Sequence, residues 1–250
     1  MNANTRRSRL DALLVARGLA ETHQRAQAMI LAGEVYVDGN RIEKSGSATP
    51  TDAQIEINSR SQKYASRGGY KLEGALKDFG ISPAGRVCLD IGCSSGGFTD
   101  CLLQNGATKV FAVDVNVHQL AWKLRKDSRI ICIQRNAREL RAEDIPEPAD
   151  LVVADVSFIA VGKVLGPAAR VAKRDGDFLI LIKPQFELGR DEIGPGGIVM
   201  DPRLHEKAVF IVRDAARAAG LECIAVKASQ LTGAEGNQEY FLHARRKPVE

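Results

Sequence analysis

The stretch Asp90-Ile91-Gly92-Cys93-Ser94-Ser95-Gly96-Gly97-Phe98-Thr99-Asp100 directly follows the apolar run Val87-Cys88-Leu89. That order reads as a buried strand ending in a glycine-rich turn that opens a helix. In an open α/β sheet, ligands bind at this place, outside the carboxyl end of a strand. Glycines there let the backbone approach a ligand where a Cβ would block it. The spacing over Gly92, Gly96 and Gly97 is G-x-x-x-G-G, not the G-x-G-x-x-G of dinucleotide sites. Asp90 sets a carboxylate where a pyrophosphate would be repelled. A sulfonium ligand is cationic and has no phosphate, so the loop suits S-adenosylmethionine better than NAD. Asp90, Gly92, Ser94, Gly96 and Gly97 are the candidate donor contacts. Asp114 ends the next apolar run, roughly twenty residues on, where an acid can accept hydrogen bonds from ribose hydroxyls. Asn136 follows the third run, near the expected place of an adenine ring, and it also suits plain turn chemistry.

Four further charged residues stand at the ends of elements. Lys71 follows a polar, glycine-ended segment, Asp155 and Lys183 end the fourth and fifth strands, and Glu239 begins the last. Lysine can accept a proton when desolvation or a second cation lowers its pKa. Taken singly, each has an ordinary structural explanation. Asp155 could cap the next helix, Lys183 could neutralise a strand-end carboxylate, Glu239 could pair on an edge strand, and Lys71 could be a solvated helix residue.

The elements that must position these groups follow from hydrophobic pattern. From Val87 onward, apolar strands alternate with helical segments, which implies a parallel sheet with crossover helices. Strands are expected at 87–91, 109–113, 130–133, 151–154, 178–182, 222–227 and 239–243. Helices are expected at 97–105, 117–125, 160–172 and 203–219. The fourth and fifth strands should flank the glycine-loop strand, bringing Asp155 and Lys183 beside the donor. The loop Gly189 to Asp201 is long enough for a mobile substrate loop. Phe98, Phe158 and Trp122 are expected to pack in the core or on their helices.

Residues 1–58 form a separate unit, followed by a polar linker at 59–69 and a larger domain at 70–250. Ser8 can cap a short helix carrying Leu10, Leu13 and Leu14, stopped at Gly18. Thr22 can cap a second, with Ala26, Met29 and Ile30 inward, stopped at Gly33. Val35-Tyr36-Val37 runs into Asp38-Gly39, a strong hairpin signal. Arg6, Arg7, Arg9, Arg17 and Arg25 are expected to crowd into the two helices, and Arg67 stands at the end of the linker. Guanidinium forks grip phosphate bidentately, and folded RNA is read largely by shape and backbone.

The chain has 250 residues, 44% hydrophobic and 26% charged, with a net charge of +4. This is an ordinary globular balance, and the mild positive charge is compatible with nucleic acid. The five cysteines include no C-x-x-C pair. Cys88, Cys93, Cys132 and Cys223 fall in or beside strands and are expected to be reduced core thiols. No metal-ligand cluster is visible. The N-terminus lacks an apolar signal region and no apolar run approaches membrane-spanning length, so a cytoplasmic protein without stable membrane association is expected.

The first unit resembles the S-four-type RNA-binding domain through Arg9-Leu10-Asp11, Arg17-Gly18-Leu19-Ala20, Arg25-Ala26, Ile30, Ala32-Gly33 and Val35-Tyr36-Val37-Asp38-Gly39. With SRGGYKL, DIGCSSGGFTD, ADVSFI and KPQFE, nearly the whole chain resembles the TlyA-type rRNA methyltransferases, FtsJ-like enzymes also called haemolysins. The resemblance implies a Rossmann-like α/β sheet of seven strands behind a small α+β RNA-binding domain. It also implies methyl transfer from S-adenosylmethionine to ribose 2′-hydroxyls, with cytidines of rRNA in ribosomal subunits as targets. Lys71, Asp155, Lys183 and Glu239 match the family's Lys-Asp-Lys-Glu tetrad. In that reading Lys183 receives the hydroxyl proton, Lys71 lowers its pKa by like charge and holds the nucleotide, and Asp155 and Glu239 orient the ammonium groups. One departure is Gln62-Lys63-Tyr64-Ala65, where the family often carries an Arg-Ala-Trp-Val type tetrapeptide, so a linker role in coupling RNA to donor binding does not carry over. A membrane-active haemolysin and a non-catalytic RNA-binding module remain the alternatives. The oligomeric state is not legible.

Overall fold

The computed structural model describes residues 7–20, 22–31, 33–57, 63–233 and 236–247. The chain divides into two compact units, Met1–Lys63 and Tyr64–Glu250.

In the first unit, β1 (Arg7–Arg9) leads into α1 (Leu10–Ala16) and α2 (His23–Leu31). Next come β2 (Val35–Val37), β3 (Asn40–Arg41), β4 (Ala48–Pro50) and β5 (Ile55–Ile57). β1 pairs antiparallel with β4, and β2 pairs with β3 and β5. Leu10, Leu14, Ala26, Met29, Ile30, Val35 and Val37 share one core. Thr22 Oγ1 accepts from Arg25 N at 3.1 Å, as its place before α2 predicts. Ser8 does not cap α1: it is the middle residue of β1, and Arg9 occupies the cap position without a side-chain bond. Asp38 and Gly39 both have positive φ (48° and 78°), the pair a tight two-residue hairpin turn requires.

The second unit begins earlier than the sequence suggested. Tyr64, expected in the linker, is 1% exposed and packs in this unit's core. It leads to α3 (Gly68–Phe79), then β6 (Val87–Ile91), α4 (Gly97–Gln104) and β7 (Lys109–Asp114). α5 (Trp122–Arg125), β8 (Ile130–Gln134), β9 (Ala149–Ala154), α6 (Gly162–Val171) and β10 (Ala172–Ile182) follow. α7 (Pro184–Glu187), α8 (Pro202–Ala218), β11 (Leu221–Ala228) and β12 (Tyr240–Arg246) complete it. The seven strands lie in the order β11-β12-β10-β9-β6-β7-β8. The run β10-β9-β6-β7-β8 is parallel, whereas β12 is antiparallel to both neighbours. The seven-stranded sheet is as expected, and the parallel arrangement read from the pattern is corrected at this edge, where the sheet is mixed. The fifth strand does not touch β6 either: β9 stands between them.

Alternate residues of the central strands feed two cores, one per face. Leu89, Ile91, Phe111, Val152 and Ile180 meet α6 and α8 residues such as Leu165 and Val212. Cys88, Val110, Ala112, Val153 and Leu181 meet Leu72, Leu76, Phe98 and Leu102 of α3 and α4. Burial on both faces explains why these strands read as unbroken apolar runs.

Several local expectations are overturned. The helix at 117–125 is a 3₁₀ turn followed by the short α5, because Leu120 and Ala121 adopt extended backbone. Trp122 is 54% exposed, with Lys126 Nζ 3.7 Å from its ring centroid. Phe158 is 89% exposed. Cys132 is exposed on edge strand β8. The 189–201 loop is pinned: Val199 N donates to Asn237 Oδ1 and Asn237 Nδ2 to Gly197 O, both at 2.8 Å.

Candidate active site

Strand order reverses between β6 and its two neighbours, and the site opens at the carboxyl ends there, as physical models of open α/β sheets require. The donor loop crosses this edge under strain. Ser94 holds φ 46° and donates its N–H to Asp114 Oδ2 at 3.0 Å. Gly92 has φ 83°, and its missing Cβ leaves room for the Asp155 carbonyl. Two cavities meet at Gly92, Ser94 and Asp155. The first, about 170 Å³, is bounded by Ser66–Gly68, Lys71, Ser95, Gly97 and Thr232. The second, about 450 Å³, is bounded by Asp114, Gln119, Arg135, Asn136, Arg138 and Ser157–Ile159.

Of the expected donor residues, Gly92, Ser94, Gly97, Asp114 and Asn136 border these cavities. Asp90 does not. It is fully buried beneath the loop, with Thr99 Oγ1 donating to Oδ2 at 2.6 Å and Oδ1 left without a protein partner. Burial pushes its carboxyl up to about 7. Gly96 also faces away from the cavities, since Leu120 and Leu124 pack where its Cβ would stand. Asn136 serves its own turn too, Oδ1 accepting from Arg138 N at 3.1 Å.

The four charged residues converge. Lys183 Nζ lies 2.5 Å from Asp155 Oδ1, and Lys71 Nζ lies 2.5 Å from Glu239 Oε2. Lys71, Lys183 and Glu239 are all buried. Burial raises the Glu239 carboxyl above its ordinary value; Lys71 and Lys183 oppose the shift and Asp155 adds to it. All four therefore share one electrostatic field. Asp155 and Lys183 reach it from the carboxyl ends of β9 and β10. Glu239 reaches it from the start of β12 only because that strand runs the other way. Lys71 comes from α3, on which Leu72, Ala75 and Leu76 face the core.

Two residues that the sequence reading did not place in the site, Ser157 and Phe158, also stand here. Ser157 Oγ accepts from Lys183 Nζ at 2.8 Å. Phe158 follows in a left-handed conformation (φ 65°), its ring 5.3 Å from that of Phe186. A bulky residue at positive φ is an outlier that surrounding structure must enforce. The only available signal was the adjacency of Ser157 and Phe158 to Asp155.

The arginines divide. Arg67 is exposed at the first cavity. Among the described arginines named for the first unit, Arg25 alone lies within a helix, which corrects the expected crowding. Arg7 and Arg25 are exposed. Arg9 pairs with Asp11 at 2.7 Å, and Arg17 donates to the carbonyls of Ala53 and Thr51. Arg6 lies outside the described residues.

The site's chemistry suits an extended, cationic nucleoside donor. Asp114 stands at one end, the Asp155 carboxylate lies where the cavities join, and the α4 start closes the other end. Among the described residues no group of three His, Cys, Asp or Glu is placed to hold a metal ion.

Comparison with known proteins agrees with this geometry. The chain matches the FtsJ-like methyltransferase family over residues 64–246 and the S4 domain over residues 8–48. It is 48% identical to the 16S/23S rRNA (cytidine-2'-O)-methyltransferase TlyA of Mycobacterium tuberculosis, over 96% of this chain and 90% of that one. It is 39% identical to Hemolysin A of Brachyspira hyodysenteriae, over 94% and 98% of the respective lengths. A solved structure from Streptococcus thermophilus bearing a hemolysin designation is 36% identical with a TM-score of 0.76, covering 98% of this chain and 90% of that one. A seven-stranded sheet with its donor loop after the first strand, a family match across most of the chain and full-length relatives at this identity lead to one assignment: the chain belongs to the FtsJ-like methyltransferase family and carries an S4 domain ahead of the catalytic unit.

Proposed function

We infer that this chain methylates a ribose 2′-hydroxyl of ribosomal RNA, on a cytidine within a ribosomal subunit, in the cytoplasm. The observation that carries the reading is the convergence of two lysine–carboxylate pairs where the donor cavities join. S-adenosylmethionine, when bound, supplies a methyl carbon whose bond to sulfur breaks, with its electron pair returning to sulfur, as the ribose oxygen bonds to that carbon. The chain's own residues do the rest.

A ribose hydroxyl is a weak nucleophile, so its oxygen must lose or share its proton during attack. Lys183 Nζ takes that proton, held in place by Asp155 at 2.5 Å. Lys71, fixed by Glu239, donates to the nucleotide and keeps a second cation near the reacting oxygen. Holding the oxygen in line supplies several kcal/mol of the rate enhancement, on the order found for well-oriented groups. Phe158 presents an exposed ring beside Asp155 and Ser157, on which an unstacked target base can rest. Stacking of that kind contributes about 1–3 kcal/mol per base. Arg67 lines the first cavity and Arg138 the second, and Arg7 and Arg25 offer exposed guanidinium groups on the first unit, all suited to phosphate.

The purified protein, radiolabelled donor and isolated large and small ribosomal subunits test this directly, with labelled sites mapped by ribose-methylation-sensitive primer extension. Label should appear at a discrete ribose and vanish with Lys183→Ala while calorimetry still shows donor binding. Near-normal turnover in Lys183→Ala would remove Lys183 from the mechanism. Binding without transfer to any ribosomal RNA would redirect the search to another acceptor. The hemolysin designation of some relatives invites one control. Among the described residues no helix is long and apolar enough to cross a membrane, and leakage from liposomes without donor would favour a membrane activity.

A further inference from the structure

We propose that Ser157 is a positioning residue of the methyl transfer, directing the Lys183 amine at the ribose hydroxyl and stabilising the ammonium that forms. The inference rests on the assignment of Lys183 as proton acceptor. A lysine that accepts a proton must begin as a neutral amine, with two N–H groups and one lone pair at the tetrahedral corners. Lys183 Nζ donates a hydrogen bond to Ser157 Oγ at 2.8 Å, whereas Asp155 Oδ1, 2.5 Å away, is in ion-pair contact without hydrogen-bond geometry. The N–H spent on Ser157 Oγ fixes the rotation of the amine, so the lone pair takes one of the two other corners, and repulsion by the Asp155 carboxylate turns it away from Oδ1. Ser157 and Asp155 border the same cavity, so the substrate side is where that corner can be used.

The serine does more than hold direction. As the ribose proton arrives on Nζ, the amine becomes an ammonium and its bond to Ser157 Oγ becomes charge-assisted. Such bonds are stronger than neutral ones. An interaction that strengthens along the reaction lowers the barrier, whereas one of constant strength does not. The proton balance is complete: it leaves the ribose oxygen, resides on Nζ, and is later released to solvent.

The backbone gives the serine its place. Asp155 N donates to Ile91 O at 3.0 Å, fixing the strand end next to the donor loop. Three residues later Phe158 turns left-handed, which sends its ring outward while Ser157 Oγ stays against Lys183. The strained turn thus serves both neighbours.

Ser157→Ala and Ser157→Thr should be compared in single-turnover methylation of ribosomal subunits, with Lys183→Ala in parallel. Donor affinity and melting temperature are measured on each variant. The expected result is a fall of about tenfold in the Ser157→Ala single-turnover rate, or ~1.4 kcal/mol. The RNA concentration for half-maximal rate and the donor affinity stay unchanged, and Ser157→Thr recovers most of the rate because it restores a hydroxyl. An undiminished rate in Ser157→Ala beside an inactive Lys183→Ala overturns the proposal and leaves the lysine assignment standing. A Ser157→Ala loss confined to RNA affinity, or one that threonine does not repair, also overturns it. If Lys183→Ala stays active, the underlying reading fails first.

Discussion

Gly92→Ala should separate the donor loop from the catalytic strand end. Gly92 has φ 83°, and an added Cβ would fall inside the contact shell of Asp155 O and 3.1 Å from Asp155 C. Ordinary carbon contacts need about 3.5 Å or more, so β6 and β9 must part at their carboxyl ends by roughly 1 Å. The left-handed backbone costs alanine about 1–2 kcal/mol. Stretching the Asp155 N to Ile91 O bond costs about 1 kcal/mol more. For a unit of this size, 2–3 kcal/mol corresponds to a melting temperature lower by roughly 4–12 °C. A displacement of about 1 Å at a reacting group costs on the order of 100-fold in rate. The control is Gly220→Ala, at φ 79° with nothing within 4 Å of the added Cβ, which carries the same backbone strain without the wedge. Differential scanning fluorimetry and single-turnover methylation on both variants decide the matter. If Gly92→Ala matches Gly220→Ala in both stability and rate, the argument that this glycine holds Asp155 against the donor loop is wrong.

Replacing Phe158 with Ala should raise the RNA concentration needed for half-maximal rate by roughly 5- to 150-fold, the equivalent of 1–3 kcal/mol of lost stacking, with donor affinity unchanged by calorimetry; an unchanged RNA requirement would remove the stacking platform. Asp177 tests electrostatics at the opposite end of the sheet, where it accepts from Arg86 at 2.8 Å, His243 at 3.0 Å and Arg245 at 3.1 Å. These partners hold its carboxyl well below the ordinary 3.8 despite burial. The resulting stability is present above the unfolded value and is lost as pH falls beneath it. Asp177→Asn should therefore lower the melting temperature at pH 7, and the difference should shrink below about pH 4; a deficit of constant size across that range would contradict the assignment.

The parts of this molecule legible in its sequence are those where local pattern and tertiary demand agree. β6 was readable to the residue, because Val87–Ile91 must be apolar on both faces and the glycines ended it. Asp155, Lys183 and Glu239 stood out as candidates because each adjoins a strand end, whereas Lys71 lies one turn inside α3 and was singled out with them through the match to the family's tetrad. Helix α3 was overlooked although Leu72, Ala75, Leu76 and Phe79 have helical spacing. Its two leading glycines and their polar approach were assigned to the linker at 59–69, and Tyr64 is tied down by packing that no local signal announces. Phe158 was misread for the opposite reason. It lies in a largely apolar stretch from Val156 to Val161, and only the left-handed turn in the structure reveals that its ring leaves the core. The direction of β12 was equally hidden, since a strand's residues do not record which way their neighbours run.

The bond between Lys71 and Glu239 joins positions 168 residues apart, whereas the glycine loop and Asp114 come from one continuous stretch. Closing so long a span is among the slower events available to a folding chain. The glycine loop and Asp114 therefore belong to residues 90–114, whereas Glu239 comes with β12, at the far end of the sequence, so the catalytic set is complete only with that strand in place. Reactivity arrives last, with the final strand of the sheet.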